Sequence, residues 1–410
     1  MEENPQLAKT VLGTNSDPNA TRIPASAAVA GVLPQAVRTT VLPKVEYGEQ
    51  PKLSVSQRER YEEIAPLGQG GMGEVVLLRD HDIDREVALK RLPPNAGIDQ
   101  VARFVEEIHA VGQLEHPNIM PVHDVGLDER GRYFFVMKRL KGQTLEQIIE
   151  KLRRGDAEAH AHYTFAVRQQ IFLGILHAMD FAHKQGFLHR DLKPANIMVG
   201  PFGEVTVMDW GLAKRIHGPE LPAAAAAPQA ATDASVAPAV IKLHTLAGQV
   251  MGTPFYMSPE QVRGESDRVN ERTDIYALTV ILHELMYLDH YLEGRETLED
   301  IGQGIQTVVP DLLKKHPSQP LTPPEIAHFI NRGMAKEPED RFQSVEEMIA
   351  RLQRGLAGSV MVQCPRTLIK RILQEVTSAA DAHPFLSMGI GAALILLAGA
   401  GLVRTAMLLF

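Results

Sequence analysis

The sequence predicts an α+β fold, strands first and helices after, with one transmembrane helix near its C-terminal end. Three observations carry that expectation. Strand-like runs stand early, at residues 74–79 and 85–90; apolar residues at helical spacing stand later, at residues 165–184; and residues 385–403 hold no charge. With 410 residues, 44% of them hydrophobic and 22% charged, the chain is long enough to bury a sizeable core.

Taken in order, residues 1–57 are rich in Ala, Pro, Thr and Val without helical or strand periodicity. No charged segment leads into an apolar core at the start, so a disordered tail is expected and a signal peptide is not. Lys9-Thr10-Val11-Leu12 and Thr39-Thr40-Val41-Leu42 look alike. They are candidate phosphorylation sites or docking sites for phosphothreonine-binding partners; an unmodified linker is the plainer reading.

Next comes Leu67, then Gly68-Gln69-Gly70-Gly71-Met72-Gly73-Glu74-Val75, a G-x-G-x-x-G-x-V pattern whose glycines let a hairpin backbone lie close over phosphates. A dinucleotide-binding turn would share the glycines but should open a helix. Here two strand-like runs follow, and the second ends in Val87-Ala88-Leu89-Lys90, which sets a lysine at a strand end. Val101, Phe104, Val105, Ile108 and Val111 then give a helix one apolar face. Glu106 and Glu107 on that helix are both within reach of being the partner of Lys90.

Residues 165–184 carry Ile171, Phe172, Ile175, Leu176, Met179 and Phe181 at helical spacing, with Gly186 as the stop signal. After this helix stands His189-Arg190-Asp191-Leu192-Lys193-Pro194-Ala195-Asn196, and thirteen residues on, Asp209-Trp210-Gly211. Residues 197–199 and 204–208 flank Gly200-Pro201-Phe202-Gly203 as two short strands around a turn, which would carry Asn196 and Asp209 to one point. Phosphoryl transfer asks for such parts: one Asp takes the acceptor hydroxyl proton, while an Asn and a second Asp hold metal. Asp191, Asn196 and Asp209 fill those roles.

In this order and spacing the motifs resemble the bacterial eukaryotic-like serine/threonine protein kinases over residues 58–356. The resemblance implies a bilobal protein kinase fold, with a small β-rich N-lobe and a larger helical C-lobe. It implies ATP, Mg2+ (or Mn2+ in its place) and protein substrates with Ser/Thr acceptors, autophosphorylation included, in bacterial signalling. Through Arg103-Phe104-x-x-Glu107 it selects Glu107 for the pair with Lys90. Residues 67–75, Ala88 and Lys90 would cradle the nucleotide, Met137 would be the gatekeeper behind the adenine, and Lys138, Arg139 and Leu140 the hinge. Lys193 would touch the transferred phosphate. Gly252-Thr253-Pro254-Phe255-Tyr256-Met257-Ser258-Pro259-Glu260 resembles the segment that receives the acceptor residue, Asp274 the buried anchor of the central helix, and Arg341 the ion-pair partner of Glu260.

Several positions depart from the family pattern. Trp210 replaces Phe, where a bulky apolar side chain is needed behind Asp209; Ser258 replaces Ala, Thr279 replaces Gly, and Lys138 replaces an acidic residue. A pseudokinase scaffold and a small-molecule phosphotransferase of the same fold are the alternatives. The complete set of charged residues disfavours the first, and Lys193 with the segment at 252–260 disfavours the second.

Residues 219–240, rich in Ala and Pro with almost no charge, predict a disordered insertion. Arg190 resembles the arginine of kinases activated by loop phosphorylation, which makes Thr245 a candidate phosphosite against a plain loop threonine. One cysteine, Cys364, excludes an internal disulfide. The net charge of −8 lacks a basic patch with interleaved aromatics and argues against nucleic acid as a partner. His160 and His162 lack cysteine partners and are expected in a loop, not at a metal.

After a juxtamembrane segment at 357–384, residues 385–404 are expected to span a membrane and to contact lipid, leaving a short end at 405–410. Lys370 and Arg371 on one side against Arg404 on the other would keep the kinase cytoplasmic. Gly389 and Ala393 offer one small-residue contact for a kinase homodimer. With no sensor expected after the span, direct sensing across the membrane is not expected.

Overall fold

The computed structural model describes residues 39–46, 52–54, 58–70, 73–215, 254–357 and 363–382. Five antiparallel strands make the N-lobe sheet: β3 (Tyr61–Gly70), β4 (Gly73–Asp80), β5 (Arg85–Arg91), β6 (Val122–Leu127) and β7 (Tyr133–Lys138), in spatial order β3-β4-β5-β7-β6. Strand alternation divides the apolar residues between two faces. Val76, Leu78, Val87, Leu89, Phe134 and Val136 pack together on one face, while Ala88, Phe135 and Met137 pack on the other against Phe104 and Met120. Phe104 belongs to α1 (Ile98–Gln113), which buries Phe104, Glu107, Ala110 and Val111 at helical spacing.

Before the sheet, residues of the expected tail pair as β1 (Lys44–Glu46) and β2 (Lys52–Ser54), and Thr39 bridges Glu59. The peptide nitrogens of Val41 and Leu42 both donate to Asp82 Oδ1, at 2.8 and 3.1 Å. One apolar residue in each strand, Val45 and Leu53, leaves no alternation to read from sequence.

The C-lobe is built on α4 (Phe165–Lys184) and α6 (Glu271–Tyr287); α2 (Leu145–Arg153) and α3 (Ala157–His162) precede α4 in the chain, and α5 (Pro259–Arg263) lies between α4 and α6. Thr144 starts α2 as a capping box with Gln147, and Thr164 caps α4 by accepting from the Val167 nitrogen. All six apolar positions expected on α4 face the core: five are buried and Phe181 packs partly buried against it. Helix α6 buries nearly its whole circumference and forms the axis of the lobe. Around it lie α7 (Leu298–Thr307), α8 (Pro324–Gly333), α9 (Val345–Leu356) and α10 (Pro365–Ala382).

His160 and His162 are helical, not in a loop, because Asp156 caps α3 by accepting from the Ala159 nitrogen. Small sheets complete the interior: β8 (Gln143–Thr144), β10 (Ile197–Val199) and β11 (Val205–Val207) form one, and β9 (Phe187–Leu188) pairs with β12 (Lys214–Arg215).

Among the described residues no helix is long and apolar enough to cross a membrane. The expected span at 385–404, the insertion at 219–240, Thr245, Thr253, Gly71 and Met72 lie outside the described residues.

Candidate active site

The segment 189–196 leaves β9 and is clamped at once. Asp274, buried near the start of α6, accepts from the His189 and Arg190 nitrogens at 2.9 Å each and meets His183 Nε2 at 2.9 Å. Burial pushes the Asp274 carboxyl up, but the His183 bond and charge and the Arg190 amide outweigh it, so the carboxyl lies below its usual range. The clamp holds Arg190 at φ 67°, a left-handed conformation unusual for a residue with a Cβ.

His189 ties this segment to the next. Its Nδ1 faces the Asp191 peptide nitrogen at 3.4 Å and its Nε2 the Met208 carbonyl at 3.1 Å. A peptide N–H can only donate and a carbonyl can only accept, so the ring is the neutral tautomer protonated on Nε2. Trp210 is fully buried with its ring 4.6 Å from that of His189, so the larger side chain fits behind Asp209. Asp209 itself sits at φ 59°.

Asn196 Nδ2 donates to the Asp191 carbonyl at 3.0 Å, and the Met208 nitrogen donates to the Asn196 carbonyl at 2.9 Å. The hairpin of β10 and β11 thus brings Asp191, Asn196 and Asp209 to one place, with Lys193 Nζ 2.7 Å from Asp191 Oδ2.

Across the cleft, Lys90 Nζ lies 2.7 and 2.8 Å from the two carboxylate oxygens of buried Glu107 and 3.6 Å from Asp209 Oδ1. Glu106 is exposed and takes no part. Two carboxylates share one ammonium. Burial would lower the Lys90 pKa, but Glu107 and Asp209 outweigh it and raise it; burial and the second carboxylate push Glu107 upward despite its lysine.

The glycine motif closes the β3–β4 hairpin, with Gly68 opposite Val75 and Gly70 opposite Gly73. At Gly73, φ is +125° and a Cβ would lie 2.0 Å from the Arg91 carbonyl, so this glycine is required by the fold. A Cβ at Gly68 or Gly70 would meet nothing within 4 Å, so packing within the protein does not require glycine at either position. Leu67 and Gln69 are exposed on the same strand. Glu74 turns its carboxylate to Arg91 and to Arg132, at 3.0 Å from the latter, so only its backbone is free to join the loop.

Val75, Leu140 and Met208 pack against the apolar cluster holding Ala88 and Met137. Met208 was not among the expected residues, although the alternation of residues 205–208 could have found it: Val205 and Val207 enter the lobe core, so Met208 must face the other way. Of the hinge residues, Lys138 is exposed and Arg139 pairs with Glu86.

A divalent cation fits this cluster. Asp209 Oδ1 is buried without a hydrogen-bond partner, and the Asn196 amide donates through its nitrogen, which leaves its oxygen as an acceptor. Asp191, Asp209 and Glu107 outnumber Lys90 and Lys193, so the donors are hard oxygens with surplus negative charge. Among the described residues no group of three or more His, Cys, Asp or Glu side chains is placed to hold a metal ion, so the cluster depends on the Asn196 amide oxygen beside its carboxylates.

In the segment expected to receive the acceptor, Ser258 starts α5, and its nitrogen and hydroxyl both donate to Gln261 Oε1 at 2.9 and 3.2 Å. Gln261 reaches the Arg190 carbonyl at 3.4 Å. Next to it Glu260 and Arg341, both fully buried, make two 2.8 Å bonds, and Arg341 also donates to the carbonyls of Ala335, Arg272 and Lys336. Beside Lys193 opens a cavity of about 390 Å3 lined by Glu146, Tyr256, Glu284 and Glu293.

The family model for the protein kinase domain matches residues 61–351. The chain is 34% identical over 316 residues to the serine/threonine-protein kinase PknD of Protochlamydia amoebophila, covering 74% of this chain and 30% of that protein. It is 32% identical over 308 residues to PknD of Chlamydia caviae and 34% over 310 residues to PknD of Chlamydia trachomatis, each match covering 73% of this chain and 32% of the relative. The chain therefore spans about a third of the length of these curated relatives.

Proposed function

The chain belongs to the protein kinase domain family, and from that premise we propose that it is a serine/threonine protein kinase that transfers the γ-phosphoryl group of ATP to protein hydroxyls. The observation that carries the reading is the convergence of Asp191, Lys193, Asn196 and Asp209 opposite the Lys90–Glu107 pair. The kinase names of the relatives support the Ser/Thr class.

The residues divide the work by position. Lys90, held protonated by two carboxylates, meets the α- and β-phosphates beneath the glycine hairpin. Asp191 Oδ2 is taken by Lys193, so Oδ1 accepts the proton of the acceptor hydroxyl as its oxygen bonds to the γ-phosphorus and the bond to the ADP oxygen breaks. Lys193 steadies the moving phosphoryl group. Asn196 and Asp209 would hold magnesium, or manganese, which would neutralise the charge of the phosphates. Bacterial signalling at the membrane is the proposed setting: residues 385–404 anchor the chain, the kinase faces the cytoplasm, and Thr245 is a regulatory phosphosite.

The test is incubation of the full chain in detergent with Mg-ATP and mapping of the phosphates by mass spectrometry. Wild type should carry phosphoserine or phosphothreonine, and Asp191→Asn should lose roughly 10²–10⁴-fold in rate while still binding nucleotide. Nucleotide binding without any transfer in the wild type would overturn the proposal in favour of a scaffold.

A further inference from the structure

We propose that α10 lies flat in the surface of a lipid bilayer and holds the C-lobe against it, an inference that rests on the membrane anchor proposed above. The helix is fastened to the lobe along one side. Thr367 is fully buried, accepts from the Gln363 and Cys364 nitrogens at 2.8 and 2.9 Å, and Lys370 pairs with Glu325 on α8. At about 100° per residue those two positions share a side. Leu368, Ile369, Ile372, Leu373 and Val376 fall within an arc of about 140° on the opposite side. Each of the five is between 44% and 60% exposed.

A continuous row of large aliphatic side chains on a helix already docked by its other face calls for a cover. Continuity with the next segment says what the cover is. Only His383 and Pro384 separate the end of α10 from the uncharged run at 385–403. Arg366 and Arg371 flank the apolar arc, where their stems can lie along apolar groups; the Arg371 head pairs with Glu375 at 2.8 Å, and the Arg366 head can reach lipid phosphates. With Arg366, Lys370, Arg371 and Glu375 along it, α10 cannot cross a bilayer, and an amphipathic helix of this kind lies in the interface. The consequence is orientation: the α8 side of the C-lobe faces the membrane.

The full chain, with Cys364→Ser and Ile372→Cys carrying an environment-sensitive fluorophore, is reconstituted in phosphatidylcholine–phosphatidylglycerol vesicles. A second preparation carries the label at Glu129→Cys on the N-lobe. We expect the label at 372 to shift to the blue and to be quenched by lipids bearing a headgroup-level nitroxide, and the label at 129 to do neither. Ile369→Glu with Leu373→Glu should abolish the quenching without changing kinase activity in detergent. Resistance of the chain to carbonate extraction reads the anchor separately. An unquenched label on a carbonate-resistant chain overturns this inference and leaves the anchor. A quenched label on a chain that carbonate releases supports it and overturns the anchor, and a chain that neither binds nor quenches overturns both. Disulfide trapping between two chains at Ile372→Cys, without lipid quenching, assigns the face to a second copy and overturns the bilayer proposal.

Discussion

Thr279 points its hydroxyl to the Ile275 carbonyl at 2.7 Å from a fully buried position on α6. Room for it comes from Gly333 at the end of α8, where a Cβ would lie 2.2 Å from Thr279 Oγ1. The departure from the family pattern at 279 is thus matched by a glycine on the facing helix. Gly333→Ala is expected to cost about 1–3 kcal/mol by overpacking, and Thr279→Gly in that background should restore part of it. Urea midpoints of the two variants check this, and equal losses in single and double variants would refute the coupling. Nothing in the sequence pairs 279 with 333, because the contact joins two helices and obeys no local period. Glu107 is different. It lies three residues after Phe104 and four before Val111, both buried on α1, so the phase of that helix alone separates it from exposed Glu106.

At the scale of elements, segments with an apolar run or period were readable and segments without one were not. Helix α4 and the strands β4, β5, β10 and β11 stand where alternation and helical spacing put them, since each buries a full face. The β1–β2 hairpin and α3 escaped because backbone bonds and a single Asp156 cap define them. Nor was α10 foreseen, as its apolar side chains share a segment with basic residues and serve no core. Helix α6 carries an acid sensitivity that follows from its depth. Burial, opposed by Asp289 and aided by Lys314, depresses the His283 pKa to about 4, and burial drives His290, just beyond the helix, down to about 3. Both folded values lie below the unfolded one, so the unfolded chain binds the extra protons. Stability is therefore complete above an unfolded value of about 6.5 and falls as pH drops toward 4, by about 2 kcal/mol per histidine at pH 5. His283→Leu should flatten the dependence of the unfolding free energy between pH 6.5 and 5. An unchanged slope would mean that His283 is not the titrating group.

The whole molecule is two lobes sharing one cleft, hinged on a fixed back. Asn118 donates through Nδ2 to the Val205 carbonyl at 2.7 Å and accepts from the Val207 nitrogen at 2.8 Å, while the Met120 nitrogen reaches the Val207 carbonyl at 3.2 Å. Those bonds join the N-lobe connection to β11, and at the front the lobes meet through Lys90 and Asp209 at 3.6 Å. A ligand touching Val75, Ala88 and Lys90 on one side and Asn196 and Asp209 on the other therefore stabilises both lobes at once. At a hundredfold excess over its Kd such a ligand adds about 2.7 kcal/mol. For a unit of this size, each kcal/mol moves the midpoint by about 2–4 °C. A non-hydrolysable ATP analogue with magnesium should raise the Tm of the full chain in detergent by roughly 5–10 °C on those figures. Chelation should remove most of that rise. Asp209→Ala should keep the metal-independent part, which Lys90 and the apolar pocket supply, and lose the magnesium-dependent part. A magnesium increment that survives Asp209→Ala would place the metal on other oxygens and undo the role given to this carboxylate.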